Sequence, residues 1–149
     1  MQARIQREPI RVEAAYRALA DDGSGGVALF VGKVRPDRTA RGRTVALEYE
    51  AHREVAEREL DRLGSLARRK FGVRRVLLWH RVGRLRVGEA SVIIGVAAAH
   101  RAPALAAAGW LITELKRTAP IWKTELQPAR PIRRVPKSGR SRTGRPARR

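Results

Sequence analysis

Residues 90–98, ASVIIGVAA, carry no charge and a single hydroxyl. Nine residues are too few to cross a bilayer as a helix, which takes about 20 apolar residues. They have the length and continuity of a strand buried on both faces, as at the centre of a sheet. The rest of the chain must therefore supply neighbouring strands and a cover.

Both are legible. GVALFVGKVR supplies a β-rich run from Val27 to Val34. TVALEYEA resumes a strand at 44–50, with Val45, Leu47 and Tyr49 alternating against polar neighbours. VRRVLLWHRVG at 73–83 is a strand, a short one follows at Arg84–Val87, and Gly88–Glu89 turns into the apolar run. Residues 52–71 fit an amphipathic helix with Val55, Ala56, Leu60, Leu63, Ala67 and Phe71 in one stripe, and Gly72 is its stop. Residues 102–117 make a second long helix with Leu105, Ala108, Leu111, Ile112 and Leu115 as its core face, ended by Pro120. Ile121–Leu126 returns as a strand. A short leading helix at 10–20 points Ile10, Ala14, Tyr16 and Leu19 inward, and DDGSGG breaks it. PDRTARGR at 36–43 reads as an exposed, mobile loop. The short connections between strands argue for a largely antiparallel sheet with two long helices packed on it, an α+β domain.

Residues 1–127 form that domain. Residues 128–149 change character, to a basic tail rich in Pro, Gly, Ser and Arg that reads as disordered. The formal charge is +19, and 126–149 alone carry nine Arg or Lys and no acid. About half of the excess thus belongs to the body, which attracts polyanions and small anions alike. There is no membrane span, no secretory signal and no cysteine, so a cytoplasmic protein is expected, without disulfides or a cysteine nucleophile. His52, His80 and His100 do not stand in a metal-ligand spacing, and neither a metal nor a cofactor is expected.

Three stretches carry candidate chemistry. In VGKVR at 31–35, Gly32 marks a bulge or a close approach, and Lys33 and Arg35 share one side of the strand or simply face solvent. In AAAHRAP at 97–103, His100 and Arg101 open a helix, where free N–H groups suit an anion, or His100 merely caps it. The third is KRTAPIWKTE at 116–125. Of 33 basic residues only five are lysine, yet Lys116 and Lys123 stand within eight residues. A cation in the last turn complements the helix dipole, but arginine would serve equally. Lysine differs in that a desolvated or crowded amine can lose its proton and act as nucleophile or base.

GGVALFVGKVR, ALEYEAHREVAERELDRL, VLLWHRVGRLRVGEASVIIGVAAAHRA and ELKRTAPIWKTE, in this order, resemble the large, catalytic subunit of molybdopterin synthase over about residues 25–125. The resemblance implies an α/β hammerhead fold. It implies sulfur transfer to cyclic pyranopterin monophosphate, forming the dithiolene of molybdopterin. The donor is a thiocarboxylate on the C-terminal glycine of a small ubiquitin-like partner. It further implies a homodimer of large subunits within a heterotetramer. By motif, Lys116 matches the essential lysine and Lys123 a second pocket lysine. Arg35, His100 and Arg101 match anion-binding residues, Phe30 the channel for the partner's tail, and Lys33, Val34, Thr124 and Glu125 positions beside the substrate. Family members continue past the Lys-x-Glu strand with an acidic, glycine-containing turn and a tryptophan, whereas this chain reads LQPARPIRRVPKSGRSRTG, so no site residue is assigned beyond Glu125.

The competing reading is a small RNA-binding protein, on the strength of the charge and the Arg-rich tail. Aromatic residues are only 5% of the chain, and no RNP-type or GXXG-type motif lies in a suitable strand or loop.

Overall fold

The computed structural model of the chain describes residues 1–39 and 42–128. The elements are β1 (Gln2–Gln6), α1 (Val12–Ala18), β2 (Gly26–Lys33), β3 (Arg38–Thr39), β4 (Gly42–Arg43), β5 (Ala46–Ala51), α2 (Arg53–Phe71), β6 (Arg75–Arg81), β7 (Gly83–Arg86), β8 (Ala90–Ala98), α3 (Arg101–Thr118) and β9 (Ile121–Leu126). The fold is α+β, as the sequence pattern predicts. None of the described helices is long and apolar enough to cross a membrane. The basic segment 129–149, read above as disordered, lies outside the described residues.

The apolar run becomes β8 with its expected bounds, and it lies inside a four-stranded sheet of order β1-β6-β8-β2. β6 and β2 flank it antiparallel, and β1 adds to β6 in parallel. Side chains alternate along β8. Val92, Ile94, Val96 and Ala98 join one core with Ala56, Leu60, Leu63 and Ala67 of α2 and Ala104, Ala107, Leu111 and Leu115 of α3. Ile93 and Ala97 face the opposite way, in a second cluster with Leu77, Trp79, Ala15 of α1 and Leu19 at its C-cap. A β-carbon at Gly95 would collide with Leu19, so a glycine lets α1 sit directly on the sheet. A second, three-stranded antiparallel sheet, β7-β5-β9, stands apart from the first, and β3 and β4 form a two-stranded ladder.

The helix ends follow from local chemistry. Gly72 takes φ 64°, and its N–H bonds to the Arg68 carbonyl, closing α2 in the left-handed cap that glycine adopts freely. α3 stops at Thr118, and Ala119 is extended, as the residue before a proline must be.

Several expectations shift. β1 was not anticipated, because QARIQ fully buries only Ile5, with Ala3 partly buried beside it. Leu105 is 63% exposed, and Ala104 and Ala107 take the core positions instead. An alanine-rich helix has little apolar contrast between its faces, so the tight fit of small residues against β8 and β2 sets its rotation. Ala14 and Tyr16 of α1 face solvent, while Ala15 and Leu19, one turn apart, face the sheet. Val45 and Val55 are exposed. Part of the 36–43 loop is paired, as β3 and β4.

Candidate active site

The C-terminal end of β2, the last turn of α3 and the strand β9 meet around a cleft of about 610 Å³. Each element carries predicted residues to it. β2 brings Phe30 and Lys33, with Arg35 just beyond the strand. α3 brings Lys116, and β9 brings Lys123 and Glu125. Pro120 turns the chain from α3 into β9, so the two lysines reach the cleft from different elements. On β9, residues 123 and 125 share the side facing the cleft by the period of two, and Thr124 does not line it.

Gly32 does what a glycine inside a strand suggests. The register of β2 on β8 slips there, with Gly32 opposite Val92 and Lys33 opposite Ala90. The extra residue, Ser91, is buried, and its hydroxyl donates to the Gly32 carbonyl at 3.2 Å. A β-carbon at Gly32 would stand 2.6 Å from Val92 Cγ1. The bulge bends the strand end and re-aims Lys33.

Val34 is buried against Leu47 and Leu85 and belongs to a small core rather than to the cleft. His100 and Arg101 are exposed at the opposite end of α3, with His100 its N-cap. Sixteen helical residues separate His100 from Lys116, about 24 Å along the axis. β2 gives a second ruler, since its first residue, Gly26, lies against Arg101 and its last is Lys33, about 23 Å apart. One chain therefore does not bring His100 and Arg101 together with the lysines.

Four cations, Lys33, Arg35, Lys116 and Lys123, line the cleft with two carboxylates. Arg35 Nε pairs with Asp37 Oδ1 at 3.0 Å, and Glu125 accepts from the buried Thr44 hydroxyl at 3.1 Å. An exposed pair is a weak tether, so Arg35 stays available to an anion.

His80 also lines the cleft and was not singled out from the sequence. It is 5% exposed and lies edge-on to Tyr49, with ring centroids 5.1 Å apart. Its Nδ1 lies 2.8 Å from the Arg81 carbonyl. A carbonyl oxygen only accepts, so Nδ1 carries the hydrogen and Nε2 is an unprotonated acceptor. Burial pushes the His80 pKa down to about 4, against the raising effect of the carbonyl bond. The signal was a polar residue inside the apolar run VLLWH.

Comparison with known proteins agrees with this fold. The MoaE protein family model matches residues 5–118, which include Lys116. The molybdopterin synthase catalytic subunit of Pyrococcus abyssi is 36% identical over 119 residues, 80% of each chain. That of Bos taurus is 39% identical over 80% of this chain, which spans only 62% of the bovine protein's length. Among solved structures, molybdopterin synthase from Staphylococcus aureus superposes with a TM-score of 0.81 at 32% identity, over 85% of this chain and 91% of that one. A chain from the complex of subunits 1 and 2 of the Helicobacter pylori molybdopterin-converting factor shares the fold, with a TM-score of 0.69 at 21% identity over 82% of each chain. Matched along most of its length in both sequence and fold, the chain belongs to the MoaE family, the catalytic subunits of molybdopterin synthase.

Proposed function

We propose that the cleft transfers sulfur from the thiocarboxylated C-terminus of a small ubiquitin-like subunit to cyclic pyranopterin monophosphate, forming the dithiolene of molybdopterin. The observation that carries this reading is the convergence of Lys116, Lys123, Lys33 and Arg35 on one cleft in a chain with no cysteine. Such a chain cannot hold the sulfur on a thiol of its own, so a second protein must deliver it. The delivered tail and the substrate phosphate are both anionic, and clustered cations bind both. The complex formed by the Helicobacter pylori relative supports a small-subunit partner.

In this reading Lys123 and Arg35 hold anionic groups, and Lys33 and Glu125 lie beside the substrate. Phe30, 38% exposed at the cleft, flanks the incoming tail. Lys116 is the nucleophile or base in its neutral form. It is exposed in the single chain, so water leaves it only when tail and substrate fill the cleft. The acceptor Nε2 of His80 takes a hydrogen bond from the substrate, a role that suits an uncharged group among cations. One thiocarboxylate carries one transferable sulfur, so each dithiolene needs two deliveries.

His100 and Arg101 enter through the homodimer. About 24 Å from their own Lys116, they serve the cleft of the second copy, where they meet the substrate phosphate. Thr124 and Val34 support β9 and the strand end rather than touch the substrate.

The test is reconstitution with cyclic pyranopterin monophosphate and a thiocarboxylated small subunit, assaying the dithiolene product. Wild type makes product, and Lys116→Ala and Lys116→Arg do not. Full activity in Lys116→Arg would overturn the proton-transfer role, because that variant keeps the charge. Mixed dimers test the second copy. Lys116→Ala chains combined with His100→Ala/Arg101→Ala chains regain activity, because one of the two clefts is then intact. No recovery in verified mixed dimers would place all the residues on one chain.

A further inference from the structure

A larger cleft, of about 740 Å³, lies at the β1 edge of the four-stranded sheet. That edge is three strands from β2, about 14 Å across the sheet from the strand that carries Lys33. Nothing in the proposed sulfur transfer uses it. Arg4, Arg7, Arg11 and Arg53 line it, with Glu8 as the single lining carboxylate among the described residues. Arg53 is paired with Glu57 at 3.3 Å. Arg4, Arg7 and Arg11 have no carboxylate at ion-pair distance among the described residues. Arg4 lies over the face of Trp79, 4.5 Å from the ring centroid, which anchors one cation at the cleft wall.

In an arginine-rich chain, guanidinium groups alone would say little. Two further atoms do. Trp79 Nε1 and Gln6 Oε1 are buried without a hydrogen-bond partner among the described residues, and both residues line this cleft. Trp79 is 5% exposed. The amide of Gln6 has a fixed orientation, because its Nε2 donates to the Glu8 and Pro9 carbonyls at 3.0 and 3.5 Å. Gln6 and Trp79 share a face of the β1–β6 pair, since Arg4 stands opposite Trp79 and Gln6 is two residues further on. An orphaned donor and an orphaned acceptor thus stand beside uncompensated cations. A simple anion would accept from the indole and the guanidiniums but leave the Gln6 oxygen without a donor. A hydroxyl gives to Gln6 and takes from Trp79 at once.

We propose that this cleft is a second ligand site that takes a small, hydroxyl-bearing phosphomonoester. Its phosphate rests on Arg7 and Arg11, and a hydroxyl lies between the Trp79 indole and the Gln6 carbonyl. The site is independent of the sulfur-transfer reading and would stand without it.

Ribose 5-phosphate is the probe, with ribose and inorganic phosphate as its fragments, at constant ionic strength in chloride. The readout is the indole N–H resonance of Trp79, identified by its loss in Trp79→Phe. Ribose 5-phosphate shifts it saturably and binds more tightly than either fragment. Arg7→Gln/Arg11→Gln, two changes at exposed positions, weakens that binding by at least about tenfold, since charge-assisted hydrogen bonds are lost. Lys116→Gln/Lys123→Gln leaves the Trp79 response as it was. The proposal is overturned if the Trp79 resonance does not saturate, if the double arginine variant binds as wild type does, or if inorganic phosphate binds as tightly as the sugar phosphate.

Discussion

β8 and β9 are both strands whose bounds the sequence predicts, yet they differ sharply in burial. Eight of the nine residues of β8 are buried, whereas none of the six in β9 is. β8 has a strand on each side and helices on both faces. Among the described residues β9 pairs only with β5, at the edge of a three-stranded sheet, and presents Trp122 at 59% exposure. The first strand holds the domain together. The second delivers Lys123 and Glu125 to the cleft and has an outer edge that no described strand covers. β8 thus serves the core and β9 the cleft, and a change in the buried strand should leave the chemistry of the folded molecule largely intact.

The sharpest way to break that division is Lys116→Ala. Dithiolene formation should fall by about 10²- to 10⁴-fold, the usual span for removing a proton-transferring group, with the thermal midpoint unchanged. A large drop in the midpoint would mean that the cleft lysine is structural. Ile94→Ala is the converse. Ile94 is fully buried in β8, and its truncation should cost about 2–5 kcal/mol in urea unfolding. Residual folded enzyme should keep its activity per folded molecule.

His80 joins the two regions, since it is buried on β6 yet lines the cleft. Unfolded histidine titrates near pH 6.5, and folded His80 at about 4. Between those values the unfolded chain holds the extra proton. Its contribution is therefore complete above about pH 6.5 and falls as pH drops toward 4, by about 3 kcal/mol in all. Urea midpoints at neutral and acid pH should show this loss in wild type, and His80→Gln should lose less between the same two pH values. An equal loss in both would remove His80 as the cause. The smallest effect belongs to Leu105→Gln, on the solvent face of α3, which should change stability by no more than about 0.5 kcal/mol. A cost of several kcal/mol would show that Leu105 is covered in the assembled protein.

Strong local signals made much of this readable in advance. β8 and β9 have their expected bounds because an uninterrupted apolar run and a proline-to-strand transition leave little room for error. α2 ends at Gly72 because no other residue type adopts that cap so freely. Lys116 and Lys123 stood out because lysine is rare in a chain that uses arginine. Weaker patterns failed for physical reasons. β1 is a half-polar edge strand that fully buries only one residue, and the inward face of α3 is written in alanines too alike to rank.

The sequence by itself determined the order of the longer strands and helices from α1 to β9, the family resemblance and the residues able to do proton-transfer chemistry, since these depend on residue type and spacing along the chain. Tertiary structure alone decided which of those residues meet. It gathered Lys33, Arg35, Lys116 and Lys123 by joining the ends of three elements, and it held His100 and Arg101 a helix length away. It also revealed His80 as an uncharged acceptor and set four arginines along a second cleft that the Trp79 indole also lines. Contacts between distant segments depend on how sheets and helices pack, and packing is set by the whole core rather than by any local run of residues.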